Sequence, residues 1–368
     1  MIDIEIPTTV LTAAVKASIP HLTTETHLPA LSRLLLTVKD GSLSIMASRG
    51  TSARLERLKC DVHSEGAIAI SGKGLLSILN VARGKSVRLT VDETSFWATI
   101  KTGRSKVQLA ASPATDYPDV VEFPADAEAH EADAEALVTA LGRVLYAAST
   151  KENQTNLHGV FFEVRGEDVH VVTTDGHRLA TYQTTTKAWP LDTTLLTLSS
   201  AQRLHREVED SVSLRTTPDD RYIVATLSDS TWIALRTSPA KFPPWSQLVP
   251  KTKKGALRFK RADALAAIRE VLPSAPETNY GELHLDDSLT IQARNENGQA
   301  ITEADVSVEG KPPSLIATSL RYLSEALEAA EDEDAEVWFQ DALDPMVVHE
   351  GPYRGLVMPM RLSGAASA

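Results

Sequence analysis

Val10-Leu11-Thr12-Ala13-Ala14-Val15-Lys16-Ala17 sets apolar side chains on one helical face, and segments of the same kind return twice along the chain. The second is Leu137-Val138-Thr139-Ala140-Leu141-Gly142-Arg143-Val144-Leu145, with apolar residues at i, i+1, i+4, i+7 and i+8. The third is Leu265-Ala266-Ala267-Ile268-Arg269-Glu270-Val271-Leu272. Their recurrence, about every 125 residues, is too long for a solenoid and fits duplicated domains.

The segments C-terminal to each helix repeat as well. Leu34–Val38, Asp40-Gly41 and Leu43–Ile45 read as strand, tight turn and strand. The counterparts are Gly159–Val164 with Val169–Val172, and Leu283–Leu285 with Leu289–Ile291. A second helix is predicted in each repeat, over Gly74–Leu79, Ala201–Arg206 and Leu320–Leu327. Closing strands end at Val107–Leu109, Trp232–Leu235 and Leu356–Met358. The chain therefore reads as an α+β protein of three repeated domains, 1–122, 123–244 and 245–368, each with two helices and two short antiparallel sheets. The proline-marked stretches Asp119–Pro124 and Phe242–Trp245 are the expected linkers. An array of like domains whose ends match can close into a ring.

Composition bounds what such an array does. The 368 residues carry a net charge of −12, which argues against a protein that coats nucleic acid through a uniformly basic surface. It leaves room for a ring with a locally basic lining. Aromatic residues are 5%, too few for base stacking as a main device. The single Cys60 excludes internal disulfides and cysteine-built metal sites and suits a reducing cytoplasm. No apolar run reaches bilayer length and Met1–Glu5 is acidic, so a soluble, unexported chain that does not engage membrane is expected.

Thr173-Thr174-Asp175-Gly176-His177-Arg178-Leu179-Ala180 closely resembles the central motif of the bacterial DNA polymerase III beta subunit, or beta sliding clamp, family. Leu157–Glu163 precedes it as in that family. Gly103–Lys106 leading to Asp116-Tyr117-Pro118 resembles the end of the family's first domain, and Val357-Met358-Pro359-Met360-Arg361-Leu362 its C-terminus. These matches fall in order and touch all three repeats. The resemblance implies three DNA-clamp domains per protomer and a ring-shaped, head-to-tail homodimer that encircles double-stranded DNA without reading sequence. It implies an ATP-driven clamp loader, a tethered replicative polymerase subunit, and repair polymerases and ligase-type partners that bring short hydrophobic motifs. It implies no cofactor, no metal and no catalysis. The three repeats favour a dimer over the two-domain, three-subunit clamps of archaea and eukaryotes.

The resemblance also assigns residues. A peptide slot at the junction of the second and third domains would take apolar walls from Leu157, Leu179, Pro243, Leu248, Val357 and Met360, with Thr174, His177 and Arg178 as donors at its mouth. Gly176, Gln247, Tyr322, Leu343, Pro345, Met358, Pro359, Arg361 and Leu362 complete it, the methionines giving adaptable contacts. Read without the resemblance, Asp175-Gly176 is a turn and Val357–Leu362 a terminal strand. The family more often has Arg at Gln247, an aromatic near Asn279, Asn near Ser319 and a DNA-facing Arg near Glu25. These departures motivate an alternative, a divergent second-copy clamp, drug-tolerant or a non-encircling scaffold. Phosphate contacts are expected from Lys16, Lys73, Arg83, Arg143, Lys151, Arg203, Arg206 and Arg269. The run Glu325, Glu328, Glu331, Asp332, Glu333 and Asp334 would form an acidic face that keeps DNA away. The dimer would set Arg104 and Lys106 against Glu296, Glu303 and Asp305. An acid/base pair of Asp175 and His177 lacks any accompanying nucleophile, metal cluster or phosphate loop.

Overall fold

The structure is a computed structural model that describes residues 2–23, 29–92, 94–119, 121–184, 189–285 and 288–361. Two expectations, Leu362 and the Glu25 loop, lie outside the described residues.

Each helix begins directly after a strand or one residue beyond it, and each repeat has two such joints. In the first, Ile2–Pro7 leads to α1 (Thr8–Ser18) and Gly66–Ser71 to α2 (Gly72–Asn80). In the second, His130–Ala132 precedes α3 (Ala134–Val144) and Thr193–Thr197 precedes α4 (Leu198–Glu207). In the third, Gly255–Lys260 leads to α5 (Arg261–Val271) and Leu315–Ser319 to α6 (Leu320–Glu328). Serine makes the abrupt switch from strand to helix in two of them. Ser71 Oγ accepts from the Gly74 N–H at 3.2 Å, and Ser319 Oγ from the Tyr322 N–H at 3.5 Å.

Two compact units divide the second repeat between them, residues 1–134 with 207–237 and residues 135–206 with 238–368. In the first unit one antiparallel sheet runs His130–Ala132, Val212–Thr216, Tyr222–Ser228, Thr231–Ser238, Ser52–Lys59, Ser42–Ser48, Arg33–Lys39, Gly66–Ser71. The Asp40-Gly41 turn has positive φ at both residues (50° and 69°), the backbone a tight hairpin requires. This sheet is apolar on both faces. Leu34, Leu36 and Val38 face α1 and α2 in one core, while Leu35 joins Met46, Trp232 and Tyr117 in another.

In the second unit the large sheet runs Thr193–Thr197, Gly159–Arg165, Asp168–Thr174, Arg178–Thr184, Tyr353–Val357, Met346–Glu350, Asp334–Phe339, Gly255–Lys260, Ser307–Gly310. A four-stranded sheet of Gly298–Ala304, Leu289–Asn295, Tyr280–Leu285 and Leu315–Ser319 completes the third repeat. Among the described residues no helix is long and apolar enough to cross a membrane.

The expected linker Phe242–Trp245 is held against the sheet. Its prolines do keep it out of the ladder. Phe242 and Trp245 are nonetheless buried, Phe242 stacks on Phe161 at 4.7 Å and 3°, and Trp245 Nε1 donates to Glu163 at 2.9 Å. Two aromatic anchors hold the segment flat against the sheet.

Candidate functional site

The motif Thr174–Arg178 is the turn between two strands of the second unit's large sheet, and most of its polar atoms are used within the turn. Asp175 Oδ1 accepts from the N–H groups of His177 (2.9 Å) and Arg178 (3.1 Å). Thr174 Oγ1 donates to the Arg178 carbonyl at 2.6 Å and accepts from the Gly176 N–H at 3.1 Å. Gly176 sits at φ +91°, where a Cβ would be strained. Thr174 is therefore not a donor at the mouth of a pocket. Its hydroxyl is buried and locks the turn, leaving the side chain of His177 exposed.

The next strand joins this turn to the C-terminal segment. Arg178 pairs with Val357, Leu179 with Leu356, Ala180 with Gly355, Thr181 with Arg354 and Tyr182 with Tyr353. The Met358 N–H continues the ladder onto the His177 carbonyl (3.0 Å), and the Met360 N–H reaches the Ala317 carbonyl (2.7 Å). Side chains alternate across a strand, so this register assigns faces. Leu179 and Leu356 lie on one face, packed with Val172, Leu195, Val347, Phe242 and Trp245. Arg178 and Val357 lie on the other.

Two further expectations are corrected by that alternation. Val357 is fully buried and forms no wall of a surface slot; Leu356, one residue earlier, supplies the floor. The Arg178 guanidinium is held at Asp175 (Nε to Oδ2, 3.0 Å) and at Glu325 of α6, 4.3 Å over the Tyr322 ring and 5.3 Å from that of Tyr146. It braces α6 beneath the sheet instead of projecting into a mouth, and Tyr322 is its stacking partner.

Beside this buried apolar floor, several large apolar side chains stay exposed. Leu248 comes directly after the Trp245–Gln247 turn and is 52% exposed; Met358 lies two residues beyond Leu356 on the same face and is 42% exposed. Met346 pairs with Val357, which brings Pro345 and the exposed Leu343 to the same end of the sheet. Pro243, Leu157, Pro359 and Met360 are partly exposed, and Gln247, His177 and Arg361 exposed. Leu248, Met358 and Leu343 are thus kept in water while their neighbours are buried. Leu356, Val347 and Trp245 were missed from the sequence, although the two-residue period of Leu356 and Met358 was the signal that could have found the first.

The expected phosphate contacts separate into two kinds. Lys16, Lys73, Arg83, Lys151 and Arg206 are exposed, and Arg203 is partly so. Arg143 is corrected outright. It is buried, its guanidinium bound to the α6 carbonyl of Ala329, to Glu350 (2.9 Å) and to Glu331 (2.8 Å), so no phosphate can reach it without breaking those bonds. Arg269 is exposed but paired with Glu328 at 3.0 Å. The acidic run is not a bare negative face either. Glu325 pairs with Arg178 and Arg321, Glu331 with Arg143, and Glu333 and Asp334 with Lys260.

The expected subunit contacts lie on or directly beside two edge strands: Lys106 and Glu303 within them, Arg104, Glu296 and Asp305 at their ends. Among the described residues Ser105–Pro113 is unpaired on one side over its first residues, with Arg104, Lys106 and Val107 exposed. Among the described residues Gly298–Ala304 pairs on one side only, with Glu296, Ile301, Glu303 and Asp305 exposed.

Comparison with known proteins accounts for this arrangement. Residues 2–121 match the sequence model of the DNA polymerase III beta subunit N-terminal domain, and residues 131–236 that of its central domain, together more than half of the chain. The chain belongs to the DNA polymerase III beta subunit family. A beta sliding clamp of Synechococcus elongatus is 28% identical over 347 residues, covering 90% of this chain and 88% of the relative. One of Streptomyces coelicolor is 24% identical over 96% of this chain and 98% of its own length. The crystal structure of the DNA polymerase III subunit beta of Pseudomonas aeruginosa superposes with a TM-score of 0.91 at 24% identity, covering 98% of this chain and all of that one. The fold is that of the family throughout, including the third repeat.

Proposed function

We propose that this chain is a DNA sliding clamp: two copies close head to tail around duplex DNA and tether a replicative polymerase by a short hydrophobic motif docked in a groove. The pairing of Arg178–Tyr182 with Tyr353–Val357 carries the reading. It builds an apolar floor from Leu179 and Leu356 and leaves Leu248 and Met358 exposed at its rim. In this reading the protein acts by binding and topology, without catalysis and without a cofactor. The three domains are assigned to 1–122, 123–244 and 245–368.

Ring closure draws support from the two open strand edges. One carries Arg104, Lys106 and Val107, the other Glu296, Ile301, Glu303 and Asp305, so they are complementary in charge and each offers an apolar residue. Heterologous contacts that close on two subunits need two different, complementary surfaces. With a net charge of −12 per copy, attraction to DNA is weak, so retention rests on encirclement, with Lys16, Lys73, Arg83, Lys151 and Arg206 easing the approach of phosphate. A clamp loader would open the ring, and repair polymerases or ligase-type partners would share the groove. A cytoplasmic location is in keeping with this role.

The test is retention on DNA after loading. Rings on closed circles should resist moderate salt and leave rapidly once the DNA is cut. Equal retention on circular and linear DNA, or a footprint with sequence preference, would exclude encirclement.

A further inference from the structure

The ladder that floors the groove continues into a second site. Next to the Leu179–Leu356 pair, two residues along both strands and therefore on the same face, stands the pair Thr181 and Arg354, about 7 Å away at the rise of a strand. Thr181 and Arg354 lie in a cleft of about 940 Å3, which Trp245, Trp338, Arg165 and Lys251 also line. Trp245 thus belongs to both sites, packed with the groove floor and facing the cleft.

The chemistry of this cleft differs from that of the groove. Each indole N–H is already bonded to a glutamate, Trp245 to Glu163 at 2.9 Å and Trp338 to Glu336 at 2.7 Å, so the rings offer faces and not donors. Guanidinium groups lie over those faces, Arg165 at 5.0 Å from Trp245 and Arg354 at 5.5 Å from Trp338. Glu163 partners Arg165 at 2.8 Å. Arg354, half-buried, donates only to the carbonyls of Gly351 (2.5 Å) and Tyr353 (2.7 Å), and neither it nor the exposed Lys251 has a carboxylate within ion-pair distance among the described residues. Glu336 acts on Arg354 only from beyond ion-pair distance, and the lining holds Arg165, Lys251 and Arg354 with no carboxylate, so the cleft is locally positive.

We infer that this cleft is a second subsite of the partner-binding groove, which takes an acidic flank of the docked peptide. The inference rests on the groove reading above. Peptide is the occupant because the two floors are successive rungs of one ladder: an extended chain anchored over Leu179 and Leu356 reaches Arg354 and Lys251 within two to four residues. Carboxylates there would meet Arg354 and Lys251, whose cationic groups line the cleft.

Fluorescence anisotropy with the full-length dimer tests this with three labelled probes: an apolar pentapeptide, and the same peptide extended by Asp-Glu-Asp at either end. One extension should tighten binding about three- to tenfold at low salt, the range expected of two or three partly exposed ion pairs, and the gain should shrink in 0.5 M salt. The gain should vanish in Arg354→Gln and fall in Lys251→Gln, an exposed site at no risk of misfolding, with affinity for the unextended peptide unchanged in both. Equal affinity of all three probes for the wild-type protein would overturn the subsite and leave the groove standing. Failure of the unextended peptide to bind would overturn the groove reading, and the subsite with it. If a single-stranded oligonucleotide quenches tryptophan emission and displaces the acidic flank at micromolar concentration, the cleft is a nucleic-acid site and the peptide assignment is wrong.

Discussion

Arg143→Ala distinguishes a structural arginine from a DNA-facing one. Arg143 lies at the end of α3, and its guanidinium donates to the carbonyl of Ala329, the residue that ends α6, so it caps that helix at its negative pole. A basic group there contributes about 0.3–1 kcal/mol, more when partly buried. The same group pairs with Glu350, which is 13% exposed in its side chain. Removing one member of a buried pair costs about 3–5 kcal/mol when the other charge is stranded. Glu350 is not fully stranded, because its second oxygen still accepts from the N–H groups of Glu331 (2.8 Å) and Asp332 (3.2 Å). The Glu331 contact adds little, that side chain being 73% exposed. The net expectation is a loss of about 2–4 kcal/mol, with Arg143→Lys recovering part of it. Urea unfolding monitored by circular dichroism should show the midpoint lowered by about 1 M at a slope of about 2–3 kcal/mol per M. Loading on DNA, measured well below that midpoint, should be unchanged. Unaltered stability together with defective loading would refute the reasoning and return Arg143 to the DNA-contacting set.

Replacing Met358 or Leu248 by Asp should weaken a groove-binding peptide about ten- to a hundredfold by calorimetry, since each removes about 1.5–3 kcal/mol of apolar burial, while the dimer stays intact. Ile301→Asp puts a charge on the open, already acidic edge of its sheet, and sedimentation velocity should show monomers where the wild type is dimeric. Burial pushes the Glu336 carboxyl up, but hydrogen bonds from Lys253, Trp338 and Arg258 together outweigh it and lower it from 4.5 to about 2. A depressed folded value means stability present above about 4.5 and lost as pH falls toward 2. The stability difference between wild type and Glu336→Gln should therefore shrink over that interval, and a difference independent of pH would count against the ion-pair account.

Local period and turn chemistry made much of the fold legible in the sequence. The three helices at the repeat starts, the Asp40-Gly41 hairpin and the second helix of each repeat need only residues within a few positions of one another, and the structure has them. The motif at Thr174–Arg178 and the C-terminal Val357–Arg361 could each be recognised, because each is a short stretch. Their meeting could not be read from spacing, since the pairing of Arg178 with Val357 joins residues far apart in the chain. Nor could the sequence say which side chains of those strands face outward. A strand alternates faces at every residue, so the register decides whether Leu356 or Val357 floors the groove, and here it is Leu356.

The same limit explains the polar residues. Thr174, Arg178 and Arg143 are residue types that bind ligands when exposed, and composition gives no sign that they are not. Only the folded chain brings Glu325 to Arg178, Ala329 and Glu350 to Arg143, and the Arg178 carbonyl to the Thr174 hydroxyl. Once those partners are in place, the cost of burying a charge or a hydroxyl without a bond fixes each group inside. The sequence by itself determined the repeats, the helices and the family. Tertiary structure decided which apolar residues face solvent and which cations are free, because exposure and ion pairing are set by contacts across the whole chain.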